Sequence, residues 1–317
     1  MNSGQTPVTV LVPVYNAEST ISRGMQSILA MARAQDEILV IDDGSADKSL
    51  FELQKFSRMD NRVNLISRSH QGLVDVLNFG LLESSNELIA RADIDDTYRP
   101  DRLDFQLDAM SRSSEISAVF SDYEISNARG VNLGVIPTAF TENLTRLSLI
   151  NHQRTAHPSV VFRKESVKAV GGYRKSDFPA EDYALWIRLS EFSKIHSVPR
   201  ILLNYTLSPN GISLTGAEAM KKKTSLLQIE FARTLDVDMY RNCLVLELSK
   251  LSELAFSWER KLLTIRDFIT LLTLKGHSYL DITREISNLH FGLELIPTMN
   301  AFIKLELQRR KRGRERG

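Results

Sequence analysis

The sequence contains little cysteine and no long hydrophobic run, and each absence excludes a class of protein. One cysteine, Cys243, occurs in 317 residues, which excludes an internal disulfide and a cysteine-rich metal site and indicates a reducing compartment. No apolar run approaches the roughly eighteen residues that a membrane-spanning helix needs. The segment after Met1 is polar and short, so it does not resemble a signal peptide. We therefore predict a soluble, cytoplasmic protein.

The charge is balanced, since 40 Lys and Arg residues face 39 Asp and Glu residues. The chain therefore has no strong positive electrostatic field that would attract nucleic acid, and we expect no nucleic-acid partner. The hydrophobic fraction of 43% is enough for a real core and argues against global disorder.

Several motifs of known chemistry are also missing. The chain has no G-x-G-x-x-G and no G-x-x-x-x-G-K-[ST], which weakens the dinucleotide and P-loop interpretations. It has no H-E-x-x-H and no nucleophile elbow with a Ser/His/Asp arrangement. A nucleotide ligand would therefore need a metal ion to hold its phosphates.

In the first half of the chain, segments with the pattern of β-strands alternate with segments that have the periodicity of helices. Short β-branched segments alternate with amphipathic segments, which predicts a doubly wound α/β fold with a largely parallel sheet. The predicted strands are Thr9–Tyr15, Glu37–Asp43, Val63–Arg68 and Glu87–Asp93. In such folds ligands bind outside the carboxyl ends of the strands. Acidic segments follow these ends, so we expect them to line one crevice.

From Ile116 the pattern changes to a strand hairpin around "NARG", a strand at Ser159–Lys164 and an amphipathic helix at Glu181–Phe192. After about Gly216 helical spacing dominates. We predict a catalytic domain over 1–215 and a helical region over 216–317. The tail after Gln308 has six basic residues against one acidic residue, which is typical of a solvated terminus and also of contact with an anionic membrane.

The segment "RADIDD" places three carboxylates within four positions, at Asp93, Asp95 and Asp96. Side chains alternate in an extended chain, so Asp93 and Asp95 point the same way. Hard oxygen ligands suit Mg²⁺ or Mn²⁺. A solvated surface loop is the alternative, and the position after a predicted strand favours a metal site.

Two further acidic pairs are candidates for a functional role. Asp42 and Asp43 end a strand, and a carboxylate there can bind a base or ribose. Glu181 and Asp182 begin a helix, where they either complement the helix dipole or provide a general base. His157, before a strand, is interpreted as a structural hydrogen-bonding residue.

Taken together, five segments resemble the inverting family 2 glycosyltransferases of the GT-A fold, in the variant typical of bacterial O-antigen, capsule and other surface-polysaccharide enzymes. In chain order they are "VLVPVYNAESTISRGMQSIL", "EILVIDDGSADKS", "IARADIDDTYRPDRLDFQ", "HPSVVFRKESVKAVGGYRK" and "AEDYALWIRL". The resemblance spans about residues 7–213. It implies a nucleotide-diphospho-sugar transferase fold, which is a Rossmann-like mixed sheet with helices on both faces, and here it carries a C-terminal helical appendage.

The resemblance also implies roles. Pro13, Tyr15 and Asp43 would surround the base of a nucleotide-sugar donor, with a UDP-sugar favoured, and Asp93 would approach the nucleoside. Asp95, with Asp93, would bind Mn²⁺ or Mg²⁺ at the diphosphate, and Asp96 would support that loop. Asp182 would deprotonate the acceptor hydroxyl.

The acceptor would be a saccharide linked to undecaprenyl pyrophosphate. This partner implies a peripheral contact with the inner face of the plasma membrane, and self-association is the alternative use of the C-terminal helices. The Q-x-x-R-W motif of processive polymerases is missing, which favours addition of one sugar.

The sequence departs from the family at three positions. Many relatives have Arg and His where this chain has Thr206 and Ser208, so a metal or diphosphate contact is missing there or comes from elsewhere. Gly72 stands where some members have a donor-contacting Arg, and Arg68 is the nearest candidate. The alternatives are a nucleotide-sugar-binding protein without transferase activity and a sugar-phosphate nucleotidyltransferase.

Overall fold

The computed structural model describes residues 6–138, 145–150, 155–208, 216–240, 267–275, 277 and 282. The chain divides into two compact units, Met1–Gln228 and Ile229–Gly317, and each is described by itself. The predicted domain boundary at 215/216 stays a prediction.

The first part of unit 1 is a run of parallel strands with helical connections. β1 (Val8–Val14), β2 (Glu37–Asp42), β3 (Val63–Ser67) and β4 (Leu88–Arg91) pair in parallel in the order β3-β2-β1-β4. The helices between them are α1 (Ile21–Met31), α2 (Ser49–Met59) and α3 (Leu73–Glu83). Six of the seven β1 residues are buried, because helices cover both sheet faces, and this explains the near-continuous apolar run in the sequence.

The second part of unit 1 makes the sheet mixed. The elements are β5 (Thr97–Tyr98), α4 (Arg102–Ser111), β6 (Ile116–Asn127), β7 (Asn132–Ile136), α5 (Thr145–Ser148), β8 (Val161–Arg163), α6 (Lys164–Ala169), α7 (Glu181–Leu189), β9 (Lys194–Leu207) and α8 (Ala217–Thr234). Within the described residues the sheet runs β3-β2-β1-β4-β8-β6-β9-β5, with β7 paired to β6. β8 is antiparallel to β4 and to β6, whereas β6 and β9 are parallel.

This topology creates one functional edge. The strand order reverses between β1 and β4, and a doubly wound sheet binds ligands at such a point, beyond the carboxyl ends of its strands. The segments after β1, β2 and β4 meet at this edge. Because β6 and β9 run in the same direction as β4, the end of β9 at Thr206 also lies there.

In unit 2 the described helical residues are the last six of α8, 229–234, and those at 237–240 and 267–274. No helix in the described ranges is both long and apolar enough to cross a membrane. The basic tail after Gln308 lies outside the described residues, so the predicted membrane contact and self-association stay predictions.

Helix α1 packs directly against the acidic loop through a glycine. A Cβ built on Gly24 would lie 2.0 Å from the carbonyl oxygen of Ile94. The glycine therefore lets the helix backbone touch the loop that joins Asp93 and Asp95, even though glycine weakens a helix by roughly 0.5–1 kcal/mol relative to alanine.

We expect Gly24→Ala to destabilise unit 1 by about 1–3 kcal/mol, because the overpacking against Ile94 outweighs the gain in helix propensity. Urea denaturation measures this change. Gln26→Ala, at an exposed position of the same helix, serves as the control and is expected to change stability by less than about 0.5 kcal/mol. A Gly24→Ala protein as stable as the control would contradict the close contact.

Candidate active site

The acidic loop after β4 is organised by a buried arginine. Arg91 is 1% exposed, and its guanidinium donates to the carbonyl oxygen of Ala92 and, at 2.5 Å, to Oδ1 of Asp93. The Tyr98 hydroxyl lies 2.6 Å from the amide nitrogen and 3.1 Å from the carbonyl oxygen of Asp93. Asp93 is thereby fixed at both its backbone and its side chain.

The three carboxylates of the loop have different environments. Burial and the charge of Asp93 raise the pKa of Asp95 to about 6. Burial, together with the charges of Asp93 and Asp95, raises the pKa of Asp96 well above its usual range. Oδ1 of Asp96 accepts a 2.7 Å hydrogen bond from the amide of Thr206, whereas the buried Oδ2 has no hydrogen-bond partner in the part of the chain that the structure describes. Asp96 therefore ties the loop to β9.

A second cation reaches the loop from helix α1. The Arg23 guanidinium donates to the carbonyl oxygen of Asp95 at 2.5 Å and to Oγ1 of Thr206 at 3.3 Å. The segment at Thr206 thus carries no basic residue itself but holds the arginine of another element. This answers part of the question raised by the departure at Thr206 and Ser208, since a positive charge is supplied from α1.

Opposite the loop, helix α7 begins with two carboxylates. Glu181 is 5% exposed, and burial together with the charge of Asp182 raises its pKa to about 7. Asp182 is half-buried, and burial raises its pKa to about 6, while the amide of Tyr183 donates to Oδ1 at 2.7 Å. The charge of Asp93 also raises the pKa of Asp182 and that of Arg91 lowers it, so the two acidic segments interact electrostatically.

Below this space lies a neutral aromatic layer. His157 is buried, and its Nε2 lies 2.8 Å from the hydroxyl of Tyr173. Trp186 of α7 contacts the imidazole edge-on at 5.9 Å between ring centroids. Burial and then the charge of Arg91 lower the pKa of His157 well below its usual range. His157 is a structural hydrogen-bonding residue, in agreement with its interpretation from the sequence.

The segments after β1, β2 and β3 form the other end of the edge. Asp43 is 3% exposed, and its carboxylate accepts hydrogen bonds from the amides of Gln71 and Gly72 at 3.0 and 2.8 Å. Nδ1 of His70 lies 2.8 Å from Oδ2 of Asp43. Tyr15, half-exposed, stacks on His70 with ring centroids 4.1 Å apart. Pro13 precedes it in β1 and is partly buried.

Arg68 lies on the same side of the sheet but contacts an aromatic ring. Its guanidinium is 4.6 Å from the ring centre of Phe79 in α3, and it makes no side-chain hydrogen bond within the described residues. This cation–π contact is worth roughly 0.5–1 kcal/mol at a partly exposed site. The contact of Arg68 with a nucleotide-sugar donor stays a prediction.

The structure therefore places the residues singled out from the sequence in two groups along one edge. Asp93 is bonded to Arg91, whose charge also acts on Asp95 and Asp182, and Pro13, Tyr15 and Asp43 lie at the ends of β1 and β2. Within the described ranges, no three His, Cys, Asp or Glu side chains are arranged to hold a metal ion. Two carboxylates are nevertheless sufficient for Mg²⁺ when substrate phosphates complete the ligand set. Oδ2 of Asp96 has no hydrogen-bond partner among the described residues, and the three carboxylates of the loop outnumber the two arginines, Arg91 and Arg23, that donate to it, which fits a bound cation.

Sequence reasoning missed Arg91, Arg23 and His70. A signal existed for Arg91, because the alternation that pairs Asp93 with Asp95 also puts Arg91 on the same side. For Arg23 and His70 no local signal exists, since each is brought to the site by a contact between distant segments.

Comparisons with known proteins show which family the chain resembles. The family model described as "Glycosyl transferase family 2" matches residues 9–171. A β-1,3-galactosyltransferase of Escherichia coli, named for UDP-Gal and α-D-GlcNAc-diphosphoundecaprenol, is 31% identical over 190 residues, covering 59% of this chain and 69% of that protein. The E. coli β-1,3-glucosyltransferase WfgD, named for UDP-Glc and the same acceptor, is 30% identical over 227 residues, covering 69% and 85%.

Among solved structures, S. aureus TarS 1–349 in complex with UDP-GlcNAc superposes with a TM-score of 0.61 at 16% identity, covering 96% of this chain and 92% of that one. At this identity the likeness shows the fold alone. It confirms the predicted α/β fold class.

We expect Arg91→Met to destabilise unit 1 by about 3–5 kcal/mol at pH 8, because it leaves buried carboxylates without their cation. Arg91 lowers the pKa of Asp95, Asp96, Glu181 and Asp182. Its loss therefore raises these values further, and protonation relieves the repulsion as the pH falls. The destabilisation should be smaller at pH 5.5, which urea denaturation at both pH values measures.

The control is Arg112→Met, which removes an exposed i,i+4 ion pair with Asp108 and should cost less than about 1 kcal/mol at either pH. A loss in Arg91→Met that is small, or that is independent of pH, would show that Arg91 does not balance the carboxylates.

Proposed function

Because the chain belongs to glycosyl transferase family 2, we propose that it moves one sugar from a nucleotide-diphosphate sugar, with a UDP-sugar favoured, to a saccharide hydroxyl with inversion. One observation carries this proposal. The charge of one buried arginine, Arg91, acts on two separate carboxylate sites, one on the loop after β4 and one at the start of α7. Inverting transfer needs this division, since one site holds the leaving diphosphate and the other takes the proton.

The loop after β4 is the proposed metal site. Glycosyltransferases of this family generally use a divalent metal ion. Asp95 is its first ligand in our proposal, because one oxygen of Asp93 is already bonded to Arg91 and Asp96 is buried. Mn²⁺ or Mg²⁺ bound there would neutralise charge on the diphosphate. Arg23, whose guanidinium reaches the carbonyl of Asp95, adds a positive charge on the same side.

Asp182 is the proposed general base. It is partly accessible, whereas its neighbour Glu181 is buried, so Asp182 is the carboxylate that an acceptor can touch. A pKa of about 6 leaves Asp182 ionised at pH 7 and makes it a stronger base than an ordinary aspartate. It accepts the proton as the acceptor oxygen attacks the anomeric carbon. In the same step the bond between the anomeric carbon and the nucleoside diphosphate breaks, and the nucleoside diphosphate leaves with the bonding electrons.

The acceptor proposal rests on the relatives. Both E. coli enzymes are named for α-D-GlcNAc-diphosphoundecaprenol but for different donor sugars. We therefore propose a saccharide linked to undecaprenyl pyrophosphate as the acceptor class and leave the sugar of the donor open among UDP-hexoses. Such an acceptor would bring the protein to the inner face of the plasma membrane.

We expect a UDP-sugar to raise the melting temperature only when Mn²⁺ or Mg²⁺ is also present. Ligand at about 100 times its Kd stabilises by about 2.7 kcal/mol, which corresponds to a shift of several degrees. A thermal-shift panel of UDP-, GDP- and TDP-sugars with and without metal measures this. Asp95→Asn should lose the metal-dependent part of the shift.

Asp101→Asn is the matched control, since Asp101 is a nearby carboxylate paired with Arg99 on the surface. It should keep the full shift. No shift for any nucleotide sugar, with or without metal, would contradict the proposed donor class.

We expect Asp182→Asn to abolish sugar transfer while donor binding is retained. The folded protein disfavours the charged form of Asp182, because its pKa is raised, so the neutral amide should leave stability unchanged or increase it by on the order of 1 kcal/mol. In the wild type, kcat/KM should fall as the pH drops below about 6, where Asp182 takes up a proton. Transfer assays and a pH profile measure both.

Asp104→Asn makes the same chemical change in the first turn of α4, at an exposed position, and should keep wild-type activity. Full activity in Asp182→Asn would exclude it as the base. Donor binding without any transfer in the wild type would instead favour the binding-protein alternative.

A further inference from the structure

The segments after β1, β2 and β3 together present an imidazole at the functional edge. Nδ1 of His70 lies 2.8 Å from Oδ2 and 3.1 Å from the carbonyl oxygen of Asp43. Both neighbours are acceptors, so in the neutral ring Nδ1 carries the proton. Nε2 is then left as a hydrogen-bond acceptor, and it has no partner among the described residues.

The imidazole is held rigidly from several sides. Tyr15 covers one face of the ring, with an interplanar angle of 22°. The amides of Gln71 and Gly72 fix the carboxylate of Asp43. Gly44 has φ +72°, and a Cβ there would lie 2.7 Å from the amide nitrogen of His70. The two loop backbones are therefore pressed together, while the His70 side chain remains 51% exposed.

Asp43 itself is poorly placed to meet a ligand. Its carboxylate already faces three N–H groups, those of Gln71, Gly72 and His70, and the residue is 3% exposed. The resemblance implied that Asp43 lies at the base of the donor. His70 contacts this carboxylate and is half-exposed, whereas the Asp43 side chain is buried, so the imidazole is the more accessible of the two groups to a ligand.

We propose that His70 recognises the nucleobase of the donor, with Nε2 accepting the N3–H of a uracil or thymine ring. This inference rests on the proposed function. A pyrimidine dione has one N–H on its pairing edge, and a single acceptor matches it. Guanine presents two adjacent donors, which suit a carboxylate better, and N3 of cytosine is an acceptor that would repel Nε2.

The test compares UDP with N3-methyl-UDP, which lacks the N3–H, by titration calorimetry in the presence of Mn²⁺. The wild type should bind UDP about tenfold more tightly than the methylated analogue. His70→Ala should bind UDP about tenfold more weakly than the wild type and discriminate between the two by less than about twofold.

Two further variants separate the acceptor from packing. His70→Phe keeps a flat ring against Tyr15 but has no acceptor, so it should lose affinity for UDP about as much as His70→Ala. Gln71→Ala, an exposed neighbour whose backbone amide still binds Asp43, should behave as the wild type.

The outcomes distinguish this inference from the function it rests on. If the wild type binds no nucleoside diphosphate, the proposed function is wrong. If His70→Phe binds UDP as tightly as the wild type, or if His70→Ala still discriminates tenfold, the base is recognised elsewhere and only this inference is overturned. A wild type that prefers GDP to UDP would also overturn it.

Discussion

The arrangement of the site depends on one buried ion cluster, the guanidinium of Arg91 among carboxylates. A charge removed from water costs several kcal/mol unless it is paired and hydrogen-bonded. Arg91 is paired with Asp93 and donates a hydrogen bond to a backbone carbonyl, which offsets this cost. Its charge also keeps the raised pKa values of Asp95, Glu181 and Asp182 lower than burial alone would make them. The loop after β4 and the start of α7, which carry like charges, can therefore both be stabilised by the same cation.

The sheet delivers the partners of this cluster from distant parts of the chain. Arg91 ends β4, Thr206 lies near the end of β9, and Asp182 begins α7. The mixed topology brings them to one edge, because β4, β6 and β9 run in the same direction. Thr206 then bonds Asp96 through its amide and Arg23 through its hydroxyl. A residue that differs from many relatives is thus integrated into the acidic loop.

The sequence alone predicted the fold class, since alternating periods of two and 3.6 residues are a local property of the chain. The same reasoning assumed an extended chain through Asp93 and Asp95, whereas the structure has a turn there, in which the amide of Asp96 donates to the carbonyl oxygen of Asp93. It did not single out Arg91, because an arginine next to acidic residues in the sequence is usually interpreted as a solvent-exposed charge. The contact between Asp43 and His70 could not be predicted, since it joins residues that are neighbours only after β2 and β3 have paired.

The balance of charge at this edge constrains how a donor can bind. Arg91 and Arg23 both lower the pKa of Asp95, yet burial and Asp93 still hold it at about 6. Glu181 and Asp182 have raised pKa values as well. An edge with this surplus of negative charge repels a bare diphosphate. Under the proposed function, we therefore expect a nucleotide sugar to bind favourably only together with a cation. The carboxylates that repel one another in the free protein would then couple the binding of the donor to that of the metal.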